Sequence, residues 1–300
     1  MAPKPPKLPK LAATDFLVAF GPNNTYLARA PAVSRSSLVC SPTMLDIISE
    51  AKSVAFAVFP PFETSVDDEG AADNSSPDPY LSYTKKAFMS DSKCYFPEED
   101  YYPELKEWLG HRWGTGGLQV ISNGKGGWWA LSHSGTTKWM GLPGDARQLL
   151  KAGNPHGKVI HMALGVKNSY IALFEDGHVD WDLKGSYDRL DEHLDTRSQG
   201  ELVYVSLSVY KPDQFFCVFK DTTVIYDFPK GAEDLDEDFL DAEGLRVIVK
   251  SDTAKHTGLY TEAKPSRPGT LRKISEDTAE GVVEDVAEKT IELALGLDKD

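Results

Sequence analysis

The residues best suited to chemistry in this sequence are its six tryptophans, seven histidines and a short run of alternating aspartates. An indole face covers the apolar face of a sugar ring, so an exposed tryptophan would suit carbohydrate stacking. Trp128 and Trp129 are the leading pair, because they follow the glycine-rich loop SNGKGG (122–127) and strand alternation sends them to opposite faces. One is expected in a core and the other partly exposed. The histidines form no HExxH, no HxH and no i,i+4 pair, so no metal site is expected. His133 and His178 lie at or beside corresponding turns and read as solvated turn residues or, beside the tryptophans, as ligand contacts. Asp176, Asp180 and Asp182 could present two carboxylates on one face. A glycosidase would need such a pair about 5 to 9 Å apart, and the simpler reading is the polar face of a strand. GxSxG, Walker A and strand-bounded GxGxxG signatures are absent. No catalytic residue and no cofactor is therefore expected.

What positions these residues is a recurring unit. WWALSHSGTTKW (128–139) and YIALFEDGHVDW (170–181) share Ala130/Ala172, Leu131/Leu173, Gly135/Gly177 and Trp139/Trp181. FFCVFKDTTVIY (215–226) is a third copy that ends on Tyr226. Each is preceded by a β-rich run, LQVISNG, VIHMALG or LVYVSLS, and succeeded by a polar segment with helical spacing of its apolar residues. Gly135 and Asp176-Gly177 suit hairpin turns. Weaker copies lie upstream, at 53–114 and 15–51. In the earliest of them, Pro22-Asn23-Asn24 reads as the turn between second and third strands, which leaves no first strand. Tyr26, Tyr95, Trp139, Trp181 and Tyr226 then share one place and are expected to pack between units.

The sequence thus predicts a mainly β fold, a five-unit β-propeller-like ring with three strands and a short helix per unit. The units span about 15–51, 53–114, 118–153, 158–199 and 201–243. LRVIVKS (245–251) is expected to supply the first unit's missing strand and close the ring, which would remove a free edge. Residues 1–14 form a Pro/Lys-rich tail, 15–260 the propeller-like domain, and 261–300 a linker and an amphipathic C-terminal helix. The stretch 62–79 is acidic and Ser/Pro/Asp-rich, and reads as a mobile insertion.

VIHMALGVKNSYIALFEDGHVDWDL resembles the repeat of the regulator-of-chromosome-condensation family. Leu164-Gly165, Ala172-Leu173, Asp176-Gly177, Val179 and Trp181 carry the likeness, and Ala130, Leu131, Gly135 and Trp139 keep part of it. The resemblance implies a propeller-like architecture. It covers mainly residues 118–226, and the family's usual glycine after the tryptophan is replaced by Asp182 and Met140.

Composition narrows the partners. With 32 Lys+Arg against 46 Asp+Glu, the net charge of -14 repels phosphate backbones and anionic lipid, so neither nucleic acid nor membrane is an expected partner. Cys40, Cys94 and Cys217 are odd in number and widely spaced, which fits a reducing compartment, the cytoplasm or the nucleus, and no secretory signal is read at the start. The leading expectation is a non-enzymatic, monomeric intracellular scaffold that binds a protein partner, basic where it meets the insertion, through loops and tails. A glycan-binding lectin using exposed aromatics is the alternative, and a glycoside hydrolase-like enzyme the third reading.

Overall fold

The computed structural model describes residues 11–29, 34–36, 41–51, 53–61, 78–84, 92–97, 100–110, 118–151, 153–197, 200–228 and 246–249. Contacts divide the chain into two units, Met1–Asp252 and Thr253–Asp300, and the description concerns the first. Residues 62–77 of the expected insertion at 62–79, the fifth helix after residue 229 and the C-terminal helix at 275–297 lie outside the described residues.

The fold is mainly β, with five small sheets. Strands β1 (Leu17–Phe20), β2 (Tyr26–Arg29) and β3 (Ser34–Ser36) form the first. The second holds β4 (Ser53–Val58), β5 (Tyr80–Thr84) and β6 (Ser92–Tyr95). The third holds β7 (Gln119–Ser122), β8 (Trp128–Leu131) and β9 (Thr137–Met140), and the fourth β10 (Val159–Leu164), β11 (Tyr170–Phe174) and β12 (Val179–Asp182). The fifth has β13 (Leu202–Leu207), β14 (Phe215–Phe219), β15 (Thr223–Asp227) and a further strand, β16 (Arg246–Val249). Within each sheet the first three strands run antiparallel in chain order. Helices α1 (Pro42–Glu50), α2 (Pro103–Leu109), α3 (Gly144–Leu149) and α4 (Asp188–Thr196) come after the first four sheets in turn.

Register explains why these sequences fold alike. The last residue of each first strand pairs with an aromatic that opens the second: Phe20 with Tyr26, Val58 with Tyr80, Ser122 with Trp128, Leu164 with Tyr170, Leu207 with Phe215. After each aromatic comes a large apolar residue and then a small one, Ala28, Ser82, Ala130, Ala172 or Cys217, at most 1% exposed. The small residue lets the neighbouring layer approach, and the aromatic supplies most of the area buried there.

Five buried clusters result, one between each consecutive pair of sheets and one between the fifth sheet and the first. The first strands also touch in succession, β1 with β4, β4 with β7, β7 with β10, β10 with β13 and β13 with β1. The contact between β13 and β1 is made by side chains. Tyr204 Oη accepts the Val18 N–H at 2.8 Å, and Ser206 Oγ donates to the Val18 carbonyl at 2.6 Å.

Two expectations are corrected here. The first sheet has its own three strands, because Pro22-Asn23-Asn24 joins the first strand to the second. Asn23 and Asn24 take φ of 54° and 62°, and the same device recurs at Lys167 and Asn168. Asparagine tolerates this left-handed conformation better than most residues. Consequently 246–249 does not complete the first sheet, and β16 pairs in parallel with β15 at the edge of the fifth.

Candidate functional site

Three places in the fold gather functional groups. The first is a cavity of about 70 Å³ among the five first strands, room for a few waters and far below the size of a typical ligand pocket. His161 lines it, 4% exposed. Its Nε2 lies 2.7 Å from the Val205 carbonyl, and its Nδ1 lies 2.6 Å from the side-chain amide of Gln119. Burial pushes its pKa down to about 4, opposed by the bond to Val205. Among the described residues, no Asp or Glu lines this cavity. The paired carboxylates a glycosidase would need are thus not here. Asp180 and Asp182 are on β12, the outer strand of their sheet, where Asp180 accepts from Tyr170 Oη and Asp182 from Lys184.

The second place is a surface cluster on the fourth sheet. His156 and His178 stack with centroids 3.6 Å apart and planes 12° from parallel, and both rings contact Phe174. His156 Nδ1 is 2.9 Å from Asp176 Oδ2, while Asp176 Oδ1 accepts the His178 N–H at 2.8 Å. These bonds hold the Asp176 carboxyl below its ordinary pKa. Imidazole lone pairs lie in the ring plane, so two stacked rings cannot both direct a nitrogen at one ion. Accordingly, no group of three His, Cys, Asp or Glu among the described residues is placed to hold a metal. His133 sits elsewhere, exposed in the turn closed by Ser132 and Thr136. The turn bonds align His178 with Thr136, so the two histidines predicted together occupy different positions.

Trp128 and Trp129 are both fully buried at 0% exposure, where one had been expected at the surface. Trp128 packs between the second and third sheets against Trp108. Trp129 packs between the third and fourth, against Leu142, Ala146 and Tyr170 among others. Neither offers a face to a sugar. Register makes the reason plain: Trp128 is the third sheet's copy of the aromatic that opens every second strand.

The third place is the outer strand of the same sheet. All four residues of β9, Thr137, Lys138, Trp139 and Met140, are exposed. Trp139 and Met140 are 37% and 36% exposed, which contradicts the expected packing of Trp139. Its counterpart Trp181, at 8%, is covered by α4, whose Asp191 accepts the indole N–H at 2.9 Å and whose Leu190 and Leu194 are buried beside it. Helix α3 is six residues long and buries only Ala146, so nothing equivalent among the described residues covers Trp139. The loop before β8 touches the end of β9, since Asn123 Nδ2 donates to the Gly141 carbonyl at 3.2 Å. A Cβ on Gly127 would lie 2.3 Å from that same oxygen, which is why glycine stands there.

Sequence reasoning missed His161 and the β9 surface. A signal existed for His161: it stands 42 residues after Gln119, the spacing that relates Tyr170 to Trp128. No family model, curated protein or solved structure gives a significant match to the chain. The resemblance to the regulator-of-chromosome-condensation repeat therefore rests on its few motif residues.

Proposed function

We propose that the five sheets are the blades of a closed five-bladed propeller and that the protein is a non-enzymatic intracellular scaffold that binds a protein partner. The cyclic succession of first-strand contacts and of buried clusters supports the ring. Cys94 and Cys217, both free, fit a reducing compartment. The observation that carries the binding role is the exposed Trp139-Met140 pair on β9, because these two residue types are enriched where proteins meet. Most of the loops and tails first expected to bind, residues 1–10, 62–77 and 275–297, lie outside the described residues, so the proposed face is on the ring itself.

The test is capture of partners from native cell extract by the immobilised full chain, run beside the Trp139→Ala/Met140→Ala double variant and a glycan array. The proposal expects a discrete protein to be retained by the parent and lost by the variant, with no glycan bound. Equal capture by both, or glycan binding that the double variant leaves intact, would overturn it.

A further inference from the structure

Resting on that reading of the β9 face, we infer that the partner contributes an extended acidic segment, which adds to the outer edge of β9 as a fourth strand of the third sheet. The edge is open: β9 is the last strand of its sheet among the described residues. The Ser132–Thr136 turn bond fixes the ladder so that Lys138 and Met140 bond to β8, while Thr137 and Trp139 turn their backbone N–H and C=O groups outward. Two residues' worth of backbone left unpaired among the described residues, beside an exposed large apolar side chain, is the arrangement that strand addition uses. The fold already contains this solution, since β16 lies along the corresponding edge of the fifth sheet.

Charge selects the occupant. In a chain of net charge -14, the segment 118–153 carries Lys125, Lys138, Arg147 and Lys151 against the single carboxylate Asp145. Asp145 is engaged by Lys184 of the fourth sheet at 3.2 Å. All four cations are exposed, and none makes an ion pair among the described residues. Lys138 lies on β9 itself, Lys125 in the loop that touches its end, and Arg147 on α3. An added strand places its side chains directly opposite those of β9, so a carboxylate facing Lys138 forms a cross-strand pair. A basic segment would meet like charge there.

The experiment uses the full chain and a fluorescent octapeptide of alternating Val and Glu, with the Val/Lys octapeptide as control, monitored by fluorescence anisotropy. The Val/Glu peptide should bind in the micromolar to millimolar range, weaken steeply as salt is raised, and bind Lys138→Glu about tenfold more weakly. Thr137→Pro removes one outward N–H at a position that does not bond to β8, and should abolish binding while circular dichroism reports unchanged melting. Should Thr137→Pro melt early, an N-methylated peptide, blocked in its own backbone N–H groups, serves in its place and should not bind. Binding that survives both blocks, equal binding of the Val/Lys peptide, or no binding at about 1 mM would overturn the inference. So would sedimentation showing that β9 is occupied by a second copy, as dimers lost on Trp139→Ala. If native capture is lost in Trp139→Ala/Met140→Ala but kept in Thr137→Pro, strand addition fails and the scaffold reading stands; if it is kept in both, the scaffold reading itself fails.

Discussion

Trp139 and Trp181 hold the same position in adjacent sheets, yet one is 37% exposed and the other 8%. The hairpins that carry them are close in sequence and register, so the difference comes from the helix after each hairpin. Helix α4 runs nine residues, buries Leu190 and Leu194 and gives Asp191 to the indole; α3 runs six and buries Ala146. The approach to the helix differs in kind as well. Tyr187, the N-cap of α4, accepts the Val166 N–H and donates to the Ser208 carbonyl of the fifth sheet, whereas Pro143, the N-cap of α3, has no hydroxyl to offer. Charge diverges in the same sense: residues 158–199 hold eight acids against five bases, and residues 118–153 one acid against four. A repeated hairpin thus guarantees the strands of a unit, while its helix decides whether the outer strand becomes core or surface.

The largest effect that would break this comparison is at the two tryptophans. Trp181→Ala should cost about 3 to 5 kcal/mol, and Trp139→Ala less, about 1 to 3 kcal/mol, because more than a third of its surface already meets water. Matched denaturant titrations of the two variants check this, and equal losses would mean that α3 covers its strand as well as α4 does.

Acid provides the next test, because the position held by Gln119 in the third sheet is held by the titratable His161 in the fourth. A buried imidazole whose pKa falls to about 4 binds fewer protons folded than unfolded between roughly pH 6.5 and 4. Its neutral form stabilises the fold above that window, and up to about 3 kcal/mol is lost as pH falls through it. His161→Gln should melt lower than the parent at pH 7 and change less between pH 7 and pH 4.5. An unchanged pH slope would show that His161 is not the group responsible.

Tyr187→Phe should cost about 1 to 3 kcal/mol, since it leaves the Val166 N–H and Ser208 carbonyl without the hydroxyl that joins them. Hydrogen exchange should then quicken at Val166. The smallest effect belongs to Asp191→Ala, about 1 kcal/mol for one partly exposed bond. It should also raise the solvent quenching of Trp181 fluorescence toward that of Trp139.

The parts of the fold legible in the sequence are those specified by local interactions. The Ala-Leu pairs, Gly135 and Asp176-Gly177 betrayed the hairpins because a two-strand turn is specified within a dozen residues. The helical and strand segments around them were found for the same reason. The aromatic that opens each second strand was hidden, because it varies among Tyr, Trp and Phe and the loop before it ranges from Gly21–Thr25 to the long stretch after Phe59. Without that register, one of Trp128 and Trp129 was expected to be partly exposed, and the first turn was placed between the wrong strands. The exposure of Trp139 depends on a missing leucine and a shorter helix elsewhere, and no property of Trp139 itself could announce it. The parallel pairing of β16 was equally out of reach, because an aliphatic strand does not encode which edge it joins.

The clasp of Tyr204 and Ser206 on Val18 joins residues 186 and 188 positions apart, a separation that bears on how the protein is made. Sheets two to four can each pack on the sheet synthesised just before, but the exposed flank of β1 has no neighbour until β13 has emerged. At ordinary rates of about 5 to 20 residues per second, that interval is about 10 to 40 s. Throughout it Phe16, Val18 and Phe20 face water, so the first sheet is where a nascent chain would most need a chaperone, and the seam is where refolding should be slowest.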